Sequence, residues 1–275
     1  MVTQSLLPIT AHSRMNANYG IKGPVHTLQQ RKLWNIGLEN LPNPDSFDVE
    51  FSPSGQVLRI TNYSMAAIAI GSEHFDYDSF GKLIRCVELD ANGRETCNSD
   101  CLNESQESRL IIKRKPSGEV VSRIVEAYEG DLLLSHSMYD EKGRLKREKT
   151  FHYDVNRLTK SDSRFYLPDG ALCEQWISGY DSEGRIARSY GLKADGTPLG
   201  DGKYIYDYDN EGRLGKVWSF NEFAEEDKAK AVTLYEYGID EFGNWVERRE
   251  FHQSRGYSDW SKSITTRKLT YYPLG

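Results

Sequence analysis

The sequence has no long apolar run. No stretch could cross a bilayer as a helix. The opening Met1 to Pro8 has neither a basic start nor an apolar stretch, so it does not read as a signal peptide. Both absences set the expectation of a cytoplasmic chain with no membrane partner. Cysteine is scarce as well. Cys86, Cys97, Cys101 and Cys173 are too few to staple 275 residues. Positive charge is in deficit, with a formal net charge of -6, which excludes a phosphate-binding surface of the nucleic-acid kind. The six histidines are scattered and form no His-x-x-x-His pair. Cys97 and Cys101 have no histidine near them, so they read as free thiols rather than half of a zinc site. The sequence contains no nucleophile elbow, phosphate loop or dinucleotide fingerprint. His152 and Asp154, flanking Tyr153, read as a solvated strand face. A chain without enzymatic activity, cofactor or metal is the expectation.

Turn residues and tyrosine are what the sequence has in quantity. Hydrophobic residues make up only 38% of the chain, yet it carries 17 tyrosines and 23 glycines. Tyrosine buries a ring and keeps a wet hydroxyl. It therefore suits a sheet whose faces are only partly covered.

One phrase recurs. Tyr180-Asp181-Ser182-Glu183-Gly184-Arg185-Ile186 is repeated as Tyr139 to Leu145, Tyr208 to Leu214 and Tyr77 to Leu83. Ile239 to Val246 carries it with isoleucine in place of tyrosine, and Tyr153 to Leu158 is a shortened form. The chemistry is that of a hairpin. Tyrosine ends a strand. Aspartate starts a turn by accepting its own backbone amides. Glycine takes the left-handed position that follows a type I turn, and Leu, Ile or Val re-enters the sheet. Looser turns stand at Ser52 to Gly55, Asp90 to Gly93, Lys115 to Gly118 and Leu167 to Gly170. Between Gly118 and Gly184 the turn residues are spaced by 12, 13, 13, 14 and 14 residues, the step of an up-and-down meander. Asp140, Asp181 and Asp209 stand at a fixed place before each turn, so they read as turn-formers rather than calcium ligands.

Other stretches depart from the rhythm. Residues 1–20 show no periodicity and read as a loose arm, with 21–275 as a single sheet domain and a soft boundary near residue 45. Leu41 to Asp45 reads as a linker, and Glu95 to Ser108 as a long polar loop. In Asn221 to Ala231, acids come early and lysines late behind a capping asparagine, which predicts a short helix. Tyr204, Tyr206 and Tyr208, with Tyr235 and Tyr237, predict a tyrosine ladder across neighbouring strands.

The recurring phrase resembles the tyrosine–aspartate (YD) repeats of the Rhs family, found in bacterial polymorphic toxins, insecticidal toxin complexes and teneurins. The likeness is carried by the six phrases between Tyr77 and Val246. It implies long β-hairpins in a spiralling sheet. The repeats are too few for a large closed shell, so the expected fold is all-β: an open, curved antiparallel meander of YD-type hairpins with one short inserted helix. The resemblance also implies a role. Small stand-alone members occur beside Rhs toxin genes, which suggests an immunity protein that occludes a basic toxin domain, with an acidic chain steering the encounter. A shell fragment that encapsulates a polypeptide and a carbohydrate-binding module are the alternatives. The expected partner surface is the acidic insert Glu222, Phe223, Glu225, Glu226 and Asp227, with Trp218 and Trp245 beside it. The sequence leaves the oligomeric state open.

Overall fold

The computed structural model describes residues 21–34, 42–64, 68–103, 105, 107–155, 157–220, 229–256 and 258–272. Eighteen strands follow one another along the chain. They are β1 (Val25–Trp34), β2 (Pro42–Phe51), β3 (Val57–Ser64), β4 (Ala69–Tyr77), β5 (Leu83–Asp90) and β6 (Glu95–Asn103). Next come β7 (Ser108–Arg114), β8 (Val120–Glu129), β9 (Leu132–Asp140), β10 (Leu145–Asp154), β11 (Arg157–Tyr166) and β12 (Leu172–Tyr180). The last six are β13 (Ile186–Lys193), β14 (Pro198–Tyr208), β15 (Leu214–Phe220), β16 (Ala231–Ile239), β17 (Trp245–Ser254) and β18 (Ser261–Tyr271).

The turns work as their composition dictates. In the phrase at Asp181, Oδ1 accepts the amides of Glu183 and Arg185 at 3.0 and 2.9 Å. Oδ2 accepts Arg185 Nε at 2.7 Å. The Gly184 amide donates to the Asp181 carbonyl at 3.1 Å while Gly184 sits at φ 76°, a conformation that side chains resist. The phrases at Asp140 and Asp209 repeat this pattern, arginine included. The tyrosine has a second task. Tyr208 Oη donates to the Ile186 carbonyl at 2.8 Å, and Tyr237 Oη to the Leu214 carbonyl at 2.9 Å. Each tyrosine thereby ties the end of its strand to the start of the neighbouring one. Arg185 also lies 4.4 Å over the Tyr208 ring, so one turn's arginine rests on the next turn's tyrosine.

Every strand pairs antiparallel with its neighbour in sequence, and the last returns to the first. β18 runs beside β1 from Val25↔Tyr271 to Trp34↔Ser263. The sheet is a closed barrel. This corrects the expected open meander. The physical reason is edge satisfaction: an open meander leaves two rows of unpaired backbone groups, and closure removes both. The fifth phrase locks the seam. It has Asn244 where three counterparts have arginine and one has Lys82, and Asn244 is 1% exposed. Its side-chain amide donates to the Lys22 carbonyl at 2.9 Å and to Tyr271 Oη at 2.8 Å, and its Oδ1 accepts the Lys22 amide. Tyr271 in turn donates to Asp240 Oδ2 at 2.6 Å. One turn thus holds the segment entering β1 and the end of β18 together.

Strand periodicity divides the wall into two faces. Leu28, Val49, Phe51, Val57, Ile60, Phe75, Leu83, Cys86, Cys101, Ile111 and Ile124 form one buried apolar cluster on the inner face of the first half of the ring. The second half turns polar and aromatic side chains inward, among them Ser161, Ser163, Trp176, Tyr204, Tyr206, Tyr235 and Thr265.

Other expectations are corrected too. Glu95 to Ser108 is not one long loop, because Glu95 to Asn103 forms β6. Its inward positions, Cys97, Ser99 and Cys101, alternate with outward Asn98 and Asp100, a strand pattern written in small polar residues. Pro42 to Asp45 belongs to β2 rather than to a linker. Among the described residues there is no helix. Of the expected helix, Asn221 to Lys228 lies outside the described residues, while Ala229 and Lys230 are not helical and Ala231 opens β16. The 1–20 arm also lies outside them. The tyrosine ladder is interrupted, because β15 separates β14 from β16 and sets Val217 between Tyr206 and Thr233.

Candidate functional site

The outer wall bears a groove at one rim. There β15, β16 and β17 present their outward residues in register, with Trp218 opposite Val232, Lys216 opposite Leu234, and Val232 opposite Gln253. The chain leaving β17 and entering β18 adds Ser254, Arg255, Gly256 and Trp260. The groove has a volume of about 490 Å³. Backbone bonds fix its floor: the Lys230 amide donates to the Ser219 carbonyl at 2.8 Å, and the Arg255 amide to the Lys230 carbonyl at 2.6 Å.

Its chemistry is aromatic and cationic. Lys216 Nζ lies 4.4 Å from the Trp218 ring centroid. Trp260 is 41% exposed, which is high for an indole and leaves a face for a ligand. Lys216, Lys230 and Arg255 all line the groove, and among the described lining residues there is no acid.

The structure separates the residues expected to act together. Trp218 lines the groove, half-buried. Trp245 does not. Its ring is covered by Arg267 at 3.5 Å and Arg248 at 5.3 Å, and it meets Tyr237 edge-on at 6.1 Å. That indole is engaged by the protein's own side chains. Glu222, Phe223, Glu225, Glu226 and Asp227 lie outside the described residues. Lys216 and Arg255 were missed from the sequence. The cross-strand register that gathers these residues spans three strands and has no local signature.

The inner face carries a second polar assembly. Glu126, fully buried, accepts Tyr128 Oη at 2.9 Å and lies 3.1 Å from His136 Nδ1 and 4.0 Å from Arg109 Nη1. Burial, then the charge of Glu126 beside it, pushes the Tyr128 hydroxyl above its ordinary range. The carboxylate is matched by the residues around it, and the arrangement ties β7, β8 and β9 together. Cys97 and Cys101 are free thiols, the latter buried. Among the described residues no three His, Cys, Asp or Glu side chains converge as a metal would need. Asp140, Asp181 and Asp209 spend their oxygens on turn amides and arginine.

No protein-family model matches the chain, and no curated protein matches it. Among solved structures it is similar to a porin-like protein from Bacteroides uniformis, at 11% identity and a TM-score of 0.47, covering 90% of this chain and 99% of that one. A porin-like protein from Bacteroides vulgatus is similar at 13% identity and a TM-score of 0.37, covering 91% and 99%.

The expected cytoplasmic setting is overturned by the ring itself. That expectation rested on the want of an apolar helix and of a signal-peptide pattern. Among the described residues no helix is long and apolar enough to cross a membrane, but a closed, even-stranded antiparallel barrel is the form in which proteins span outer membranes with strands. The outer wall adds its own information. Arg59, Arg85, Arg164 and Arg188 stand exposed on it within their strands. Each stands third from an end of its strand, near a rim, where a charged side chain costs about 0–1 kcal/mol even against lipid.

Proposed function

We propose that this protein is a non-catalytic binding barrel that takes an acidic segment of a partner protein into the groove between Trp218 and Trp260. The single observation that carries the reading is the composition of that groove. Two indoles and three cations share about 490 Å³ with no acid among the described lining residues. Tryptophan and arginine are the side chains that most often dominate binding energy, because they combine apolar area with directed hydrogen bonds. Cations at the rim raise the rate of encounter with a negatively charged partner. The sign is opposite to the basic partner expected from the acidic insert. Covering a toxin is one form such binding can take, and co-expression with a neighbouring toxin gene tests that role separately.

The binding itself is tested by following tryptophan fluorescence during titration with a glutamate-rich peptide carrying one phenylalanine. The wild-type chain is expected to bind, and Trp218→Ala or Trp260→Ala to weaken binding by roughly thirtyfold, about 2 kcal/mol. A lysine-rich peptide of the same length binding more tightly than the acidic one would overturn the reading.

A further inference from the structure

The inner face of β10 carries two cations side by side. Arg147 and Lys149 are two residues apart on one strand and so point the same way. Their lateral neighbours are known from the register. Arg147 stands between Met138 on β9 and Phe165 on β11, and Lys149 between His136 and Ser163. None of these is an acid. One strand further on each side, the nearest inward carboxylates are Glu126 and Glu174. Glu126 is engaged by His136, Tyr128 and Arg109, and Glu174 accepts Trp176 Nε1 at 3.3 Å.

Neither cation makes an ion pair among the described residues. Their contacts are aromatic: Arg147 Cζ lies 4.8 Å over the Phe165 ring, and Lys149 Nζ 4.9 Å over the Phe151 ring. Arg147 Nε is enclosed and has no hydrogen-bond partner. Buried charges are ordinarily paired, since desolvating an unpaired one costs several kcal/mol. Three other inward cations among the described residues follow that rule. Lys32 reaches Glu250 at 3.4 Å, Lys113 reaches Glu88 at 2.5 Å, and Arg248 reaches Glu250 at 2.5 Å. Arg147 and Lys149 are the departure, and they repel each other as well.

We infer that Arg147 and Lys149 form an oxyanion-binding site on the inner wall, taking a phosphate, sulfate or carboxylate group of a ligand inside the barrel. The guanidinium fork can hold two oxygens of such a group at once, and the ammonium supplies a point charge beside it. Aromatic rings on both sides, Phe151 and Phe165, exclude water and strengthen the attraction. His136 and the Ser163 hydroxyl flank Lys149 and can donate to a third oxygen. Burial, then the Arg147 charge, holds the Lys149 ammonium below its ordinary pKa. A bound anion would reverse that direction. The site lies on the inner wall and is independent of the outer groove.

Thermal melting of the full chain in inorganic phosphate, in acetate and in chloride at matched ionic strength tests the assignment. The wild-type midpoint is expected to rise saturably with phosphate or with acetate over chloride, and the stronger of the two names the class of oxyanion. Lys149→Met and Arg147→Met are expected to abolish that rise while melting in chloride no lower than the wild type, because each removes an unpaired, half-buried charge and leaves a packed side chain. A wild-type midpoint indifferent to both anions, or a rise that survives in both variants, would overturn the site. Variants that melt well below wild type in chloride would also overturn it, since they would show that the two cations are structural.

Discussion

Asn244 shows how one residue can decide the outcome of a repeat. The phrases at Asp140, Asp181 and Asp209 place arginine after glycine, and that arginine stays at the surface to pair with its own aspartate. Asparagine in the same place is short enough to turn inward, where it meets both chain ends of the barrel. Its amide and carbonyl oxygen are spent on three bonds with no solvent access. Asn244→Ala would leave the Lys22 amide and carbonyl without their side-chain partner and Tyr271 with Asp240 alone. The expected cost is about 1–3 kcal/mol, read as a drop of several degrees in the melting midpoint. The substitution Arg213→Ala, at the matching position of another phrase, should cost less, because its partners are half-exposed.

The hairpin is the element, and its stability is tied to the charge on the aspartate that opens it. Burial acts to raise the pKa values of Asp181 and Asp209. Hydrogen bonds from the turn amides and from Arg185 or Arg213 outweigh it, so both carboxyls sit below their ordinary range. A carboxyl depressed in the folded state stabilises fully above its unfolded pKa of about 3.9. That contribution is lost as the pH falls through the lower folded value. The double variant Asp181→Asn/Asp209→Asn is therefore expected to melt below wild type at pH 7. Its midpoint should fall less steeply than that of wild type between pH 5 and pH 2, both being read by circular dichroism. Parallel pH dependences would remove these carboxylates from the account. The hairpin is also the scale at which the sequence was most legible. Glycine, aspartate and the following aliphatic residue are local signals, and they placed the turns at Gly81, Gly143, Gly184, Gly212 and Gly243 where positive φ is found. Glu95 to Asn103 escaped because its inward residues are cysteine and serine, which give alternation no hydrophobic contrast. The groove escaped for another reason. Lys216, Trp218, Arg255 and Trp260 are brought together by pairing across β15, β16 and β17, which no single window of sequence contains.

At the scale of the molecule the decisive feature is the pairing of β1 with β18. Their paired residues are up to 246 positions apart, at Val25↔Tyr271, and Thr27 Oγ1 meets Thr270 Oγ1 at 2.6 Å across 243 positions. Neither strand carries the recurring phrase, so repetition could not reveal that the ends meet. Low apolar content pointed toward a thin sheet. It was misleading about closure because a ring satisfies edge amides by hydrogen bonding rather than by apolar burial. The ring also defines two surfaces, an outer wall bearing the groove and an inner wall bearing the two unpaired cations, and the proposed functions divide between them.

Closure is tested most directly by a disulfide across the seam. Thr27→Cys/Thr270→Cys, in a chain with Cys97 and Cys173 replaced by serine, places two thiols where the hydroxyls now touch. Under mild oxidation the monomer should form this bond within one chain at low protein concentration, as read by non-reducing electrophoresis and peptide mapping. Free thiols that persist, or bonds that form only between chains, would contradict the closed barrel.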